Sequence, residues 1–289
     1  MRLFFNSIQS SSPKADEKTY LICIQAGQSN ASSNSGANDP KSTIPAPYGN
    51  VQSNVIKTSY SSPTFEFEPQ QFRVNSFCEW VSGAIAPLPN TTERAGLECK
   101  LWKDIADATG KNILLVHLAY GGEGFTSGSS GYNGAWNLTR GVGTTGVAWE
   151  HLDDAFASMQ TYISDNNLKT ESGMVWWFQG ENDTSTSGYF TPTTGLLAQA
   201  FSRFRAKIGE DAPIFSGGIN PVRGSKQANF VANQAAYVDP KNNYYFMSNS
   251  GLNKTWSDAG NAQTGIHLDF NSHWLLADEI KAIAIPLLL

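Results

Sequence analysis

The segment Tyr20-Leu-Ile-Cys-Ile-Gln-Ala-Gly27 is an apolar run that stops abruptly at a glycine, with Gln28, Ser29 and Asn30 directly after it. A run this short and this apolar reads as a strand buried on both faces, and such strands belong to parallel sheets covered by helices. The pattern recurs. Asn112-Ile-Leu-Leu-Val-His-Leu118 leads into Tyr120-Gly-Gly122, and Gly173-Met-Val-Trp-Trp-Phe-Gln179 leads into Gly180-Glu-Asn-Asp183. Shorter runs follow at Pro213–Gly217 and Tyr244–Ser248. Between them lie amphipathic stretches. Leu97, Leu101, Ile105 and Ala108 share one helical face closed by Gly110, and Leu152, Ala155, Phe156, Met159 and Ile163 share another within Val147–Asp165. Further helices are expected at about 194–208, 227–237 and 271–283. Strands alternating with helices predict an α/β fold, a doubly wound parallel sheet of about five strands with helices on both faces.

With 289 residues, 40% of them hydrophobic, the chain suits one large domain over 1–289 with a long loop insertion at about 32–93. That insertion is rich in Ser, Asn and Pro, with short strand-like pieces at Thr64–Glu68 and Phe72–Phe77. Twenty basic against twenty-five acidic residues give a net charge of −5. This lacks the basic footprint that nucleic acid requires, and neither nucleic acid nor a membrane is an expected partner. The apolar patch near Met1 is too short for a signal-peptide core. The expectation is a soluble chain without an export signal, cytoplasmic or part of a phage virion. Cys23, Cys78 and Cys99 lack metal-ligand spacing, and neither metal nor cofactor is expected. The sequons Asn30-Ala-Ser32 and Asn182-Asp-Thr184 fall inside the polar clusters, which favours a compartment without N-glycosylation.

In an open α/β sheet, ligands bind at the carboxyl ends of the strands. Those ends present Ser29, Gly121-Gly122 and Gln179-Gly-Glu-Asn-Asp183, while His267 precedes the last helix. These are the parts of acyl transfer. A serine hydroxyl needs a base to take its proton, and a tetrahedral intermediate needs fixed donors such as glycine N–H groups and a side-chain amide. Phe125 opens a Gly/Ser-rich loop that also carries Tyr132, Trp136 and Arg140. Aromatic and guanidinium groups suit the faces of a sugar, although Trp136 fits a core position equally well.

Four blocks in order, Ala26-Gly-Gln-Ser-Asn-Ala31, Tyr120-Gly-Gly-Glu-Gly-Phe125, Trp177-Phe-Gln-Gly-Glu-Asn-Asp183 and Gly265-Ile-His267, resemble those of the SGNH hydrolases. Within that superfamily the chain resembles the sialate O-acetylesterase-like carbohydrate esterases. The loop Glu123–Gly131 is similar to that of bacterial sialate 9-O-acetylesterases. The resemblance implies a flavodoxin-like three-layer αβα sandwich and hydrolysis of acetyl esters on sugars, with an acetylated carbohydrate as partner and no cofactor. It implies Ser29 as nucleophile, His267 as base, and an oxyanion hole from the Ser29 N–H, a glycine N–H of Gly121 or Gly122, and the amide of Asn182 or of Gln179. Gln28, Glu181 and Asp183 are the supporting residues.

One position departs from the family pattern. Where most of these enzymes carry an Asp three residues before the histidine, this chain has Thr264. Either the site works as a Ser-His dyad, with a carbonyl or another acid such as Glu181 or Asp258 holding the imidazole, or turnover is impaired. The second alternative is a carbohydrate-binding or adhesive domain on the same scaffold. Asp269 is expected to cap the last helix. His117, His151 and His273 read as core or helix residues. Gly122-Glu-Gly124 lacks the third glycine of a dinucleotide fingerprint, and Ala31 stands where a nucleophile elbow has its last glycine.

Overall fold

The computed structural model describes residues 18–32, 48–56, 65–70, 78–79, 97–126, 134–138, 147–249, 255–256 and 265–289. Tyr132, Arg140, Asp258 and Thr264, and the expected piece Phe72–Phe77, lie outside them. The strands are β1 (Thr19–Gly27), β2 (Tyr48–Ile56), β3 (Phe65–Gln70), β4 (Cys78–Glu79), β5 (Asn112–Ala119), β6 (Lys169–Phe178), β7 (Ile214–Gly217) and β8 (Tyr244–Met247). The helices are α1 (Glu98–Thr109), α2 (Val147–Asp165), α3 (Leu196–Ile208), α4 (Ser225–Ala236) and α5 (Phe270–Leu288).

All eight strands form one sheet in the order β3-β2-β5-β1-β6-β7-β8, with β4 pairing β5. The five strands read from the sequence run parallel, in the order β5-β1-β6-β7-β8. This is the flavodoxin-like arrangement, in which the chain reverses its winding beside β1. The 32–93 segment contributes more than a loop. β2 and β4 pair parallel with β5, and β3 returns antiparallel on the outer edge. β2 was not evident in the sequence because Tyr-Gly-Asn-Val-Gln-Ser-Asn-Val-Ile lacks an apolar run. It pairs with β5 only at Val51, Gln52 and Ser53, and Val51 is buried.

The sheet has a core on each face. Ile22, Ile24 and Ala26 of β1 face α2 and α3 through Leu152, Phe156, Leu197 and Phe204, with Phe230 of α4 in the same cluster. Leu21 and Cys23 point the other way, toward Leu101 and Ile105 of α1 and Leu276 and Ile280 of α5. Burial pushes the Cys23 thiol up to about 12, so it is an unreactive core group. α5 runs past the expected end near Ile283. Pro286 lies in its last turns, and Leu288 is buried in the α1-side core. Asp269 caps α5 as expected, its Oδ1 accepting the Ser272 N–H at 2.7 Å. Among the described residues, no helix is long and apolar enough to cross a membrane.

Candidate active site

Strand register brings the polar clusters together. Gly27 pairs with Ala119 of β5 on one side and with Phe178 of β6 on the other, so all three strands end at the same level. The residues after them, Gln28-Ser29, Tyr120-Gly-Gly122 and Gln179–Asp183, therefore leave the sheet side by side. Gly27 has φ of 140°, and a Cβ there would lie 2.1 Å from the Phe178 carbonyl oxygen. Only glycine lets the chain turn off the sheet this close to β6. Beyond it, the Gln28 N–H donates to Phe178 O at 3.0 Å and the Ala31 N–H to Gln28 O at 2.8 Å. They close a 3₁₀ turn over Ser29–Ser32. Ser29 keeps 8% of its surface exposed, enough for a small reactant at a nearly enclosed group.

Asn30 ties this turn to the histidine. Its Nδ2 donates to Ile266 O at 2.9 Å and its Oδ1 accepts from Leu268 N at 3.1 Å, so one side chain clasps the main chain on both sides of His267. His267 is half-buried. Asn220, after β7, holds the same loop one step earlier by donating to Gly265 O at 2.8 Å. Asn30 Nδ2 also donates to Glu181 Oε1 at 2.7 Å, and the other Glu181 oxygen accepts from Gln28 Nε2. Gln28 Oε1 in turn accepts from Gln179 Nε2 at 3.1 Å. Buried amides and one carboxylate thus form a continuous chain from the third block through the first to the last.

The two carboxyls of the third block are electrostatically displaced. Glu181 retains some surface, but its oxygens sit on the buried side chains of Gln28 and Asn30. Burial pushes its pKa up to about 7 against the opposing hydrogen bonds. Asp183 is pushed up to about 6, again by burial, while its Oδ1 accepts the Phe125 N–H at 2.9 Å.

The candidate oxyanion donors separate on this geometry. Gly121, Gly122 and Asn182 are half-buried at the strand ends, and Gly122 takes the left-handed φ of 72°. Gln179 is wholly buried. Its Nε2 lies 3.1 Å from Gln28 Oε1, 2.7 Å from Glu123 O and 2.9 Å from Asp183 Oδ2. Two N–H groups are therefore already shared among three internal acceptors, and Gln179 works as a tie between loops.

Two expected sugar contacts are core residues instead. Trp136 has no exposed surface. Its Nε1 donates to Gly27 O at 3.0 Å, and its ring packs edge-on against Tyr120, Trp149 and Trp177. Phe125 is 1% exposed and packs against Trp177 and Tyr189. Trp136 sits against the β1 end at Gly27 and Phe125 beside Asp183, and their large apolar area is buried there. The remaining histidines are structural. His117 is buried with its ring nitrogen 2.6 Å from Ala31 O, and His151 Nδ1 lies 2.7 Å from the Tyr120 hydroxyl. His273 is buried on α5, and burial, with His267 nearby, pushes it down to about 3. Among the described residues, no group of three or more His, Cys, Asp or Glu is placed to hold a metal ion.

Three residues that organise the site drew no role from the sequence. Asn30 stood in the first block, where its place next to Ser29 was the available signal. Glu123 stood between two glycines, and it accepts the Gly134 and Ala135 N–H groups at 3.0 and 3.1 Å, tying residue 123 to the segment that leads into Trp136. Asn220 had no local signal, because its partner lies 45 residues away.

Strand order, winding reversal and a serine-led polar cluster at the switch point define an α/β protein of the flavodoxin-like type, the architecture implied by the SGNH resemblance. The same fold recurs in solved structures. NanS is similar at TM-score 0.63 and 16% identity, over 94% of this chain and 98% of its own. A protein from Arabidopsis thaliana is similar at TM-score 0.61 and 13% identity, over 94% and 100%. A carbohydrate acetylesterase from Xanthomonas citri is similar at TM-score 0.56 and 12% identity, over 92% of this chain and 57% of that one. No family model and no curated protein matches the sequence. At these identities the fold is what is shared.

Proposed function

We propose that this protein is a serine esterase that removes O-acetyl groups from a carbohydrate through an acyl-enzyme on Ser29. The observation that carries this reading is the Asn30 clasp, which fastens the His267 loop directly onto the turn bearing Ser29. In the first half-reaction the Ser29 hydroxyl attacks the ester carbonyl while neutral His267 takes its proton, and the same imidazole then protonates the departing sugar oxygen. Water, deprotonated by His267, releases acetate in the second half. The developing oxyanion is met by the Ser29 N–H, a glycine N–H from Gly121 or Gly122, and the amide of Asn182, which follows the end of β6 and is the kind of donor an oxyanion needs. The fold shared with a carbohydrate acetylesterase supports the substrate class, with sialic acid or another acetylated glycan as the sugar.

Thr264, uncharged where a histidine-orienting acid is expected, motivates a second reading as a carbohydrate-binding domain without turnover. One experiment separates the two. Purified protein should hydrolyse p-nitrophenyl acetate and take up one organophosphonate label on Ser29, both abolished in Ser29→Ala. Glycan binding without hydrolysis or labelling would establish the binding domain.

A further inference from the structure

We propose that Glu181 is a positioning residue for His267: its ionised carboxylate anchors Asn30, which holds the main chain on either side of the histidine. The role of His267 as base is taken from the function proposed above. Every amide in this network has its direction imposed from outside. Asn30 must present nitrogen to Ile266 O and oxygen to the Leu268 N–H, so it cannot turn over without two like-against-like contacts. Gln28 must present oxygen to Gln179 Nε2, whose nitrogen is fixed by Glu123 O and Asp183 Oδ2. The group between Gln28 and Asn30 is therefore offered an N–H at each end. An ionised carboxylate accepts at both oxygens, whereas a neutral carboxyl or a carboxamide of the same shape brings a donor to one of them. Thr264 stands where the resemblance places an acid against the imidazole, and Glu181 supplies a carboxylate that acts on the backbone of the histidine loop instead.

The groups facing Glu181 decide when that carboxylate is present. Burial favours its neutral form, Asp183 on the same segment adds to this, and Arg223 on the turn after β7 opposes it. Tyr189 lies within electrostatic range, and His267, with buried His273 behind it, lies across the clasp. As the pH falls through about 7, Glu181 takes up a proton, one amide contact is lost, and the loop carrying the base shifts while Asn220 still holds it.

The test uses the full chain and its Glu181→Gln variant. NMR of the Asn30 side-chain amide, which donates to Glu181, should show between pH 5 and 9 a titration near pH 7 that shrinks in Glu181→Gln. At pH 8, hydrolysis of p-nitrophenyl acetate by the variant should fall about 10²-fold, the scale of a misplaced catalytic group. The loss should lie in kcat, with KM changed less than about threefold. The acid limb of log kcat/KM should steepen to two protons in the natural protein and to one in the variant. Equal activity and equal slopes, or an Asn30 side-chain titration of undiminished size in Glu181→Gln, would overturn the proposal. A natural chain that shows the titration but hydrolyses no acetyl ester would instead refute the esterase reading and leave the coupling of Glu181 to the loop standing.

Discussion

Replacing Asn30 by Ala removes a side chain that joins the nucleophile's turn to the base's loop, without touching Ser29 or His267. It deletes donations of 2.7 Å to Glu181 and 2.9 Å to Ile266 O, and the acceptance at 3.1 Å from Leu268 N. Asn30 is 3% exposed, so water does not readily replace these bonds. Leaving the loop carbonyl and N–H poorly satisfied costs about 1–3 kcal/mol each, and losing a bond to a carboxylate about 1.5–3. Even with partial relaxation, this sums to roughly 3–5 kcal/mol of local stability. Asn220 still holds Gly265 O, so the loop stays attached and shifts. A shift of about 1 Å in a catalytic group costs on the order of 10² in rate, about 2.7 kcal/mol. Steady-state hydrolysis of p-nitrophenyl acetate should show that loss in kcat with KM nearly constant, and circular dichroism should show a lowered but cooperative melt. Asn30→Asp should fare no better, because it keeps the acceptor for Leu268 N but sets a second carboxylate against Glu181. An Asn30→Ala enzyme within threefold of natural kcat/KM would refute the claim that this clasp places the base.

Asn182→Ala should lower kcat by about 10²–10³ with little change in KM, as for other oxyanion donors, whereas Gln179→Ala should register first as a lowered thermal midpoint; the reverse pattern would exchange their roles. Trp136→Phe should cost roughly 2 kcal/mol of stability from the cavity and the lost bond to Gly27 O while leaving KM for an acetylated sugar unchanged, and a raised KM with an unaltered melt would return Trp136 to the substrate site. For pH, burial raises Glu181 to about 7, so the folded protein holds this proton more tightly than the unfolded chain and loses stability as pH rises from the ordinary carboxylate range through about 7. Thermal midpoints of natural protein and Glu181→Gln should therefore diverge in favour of the variant between about pH 5 and 7 and run parallel above. A constant difference would mean that Glu181 titrates as an ordinary carboxylate.

The five parallel strands and their helices were legible because each is a local pattern: apolar runs such as Tyr20–Ala26 and Met174–Phe178 cannot be half-exposed, and the amphipathic faces of α1 and α2 repeat at helical spacing. The grouping of Ser29, Gly121-Gly122 and the Gly180–Asp183 cluster was legible for the same reason, since strand ends on one side of a parallel sheet must converge. β2 escaped notice because its place is decided by three register partners on β5 rather than by its own polar sequence. Phe125 was expected at the sugar and Trp136 was left open because an aromatic on a glycine-rich loop has the same sequence whether it faces solvent or the core; only the burial of both and the approach of Trp136 Nε1 to Gly27 O settle it. What the tertiary structure alone decided is the wiring of polar groups, the Asn30 clasp on residues 236 and 238 positions away and the Glu181 carboxylate between Gln28 and Asn30. Hydrogen-bond direction depends on which atoms meet in space, and residues so far apart in the chain carry no local trace of that meeting.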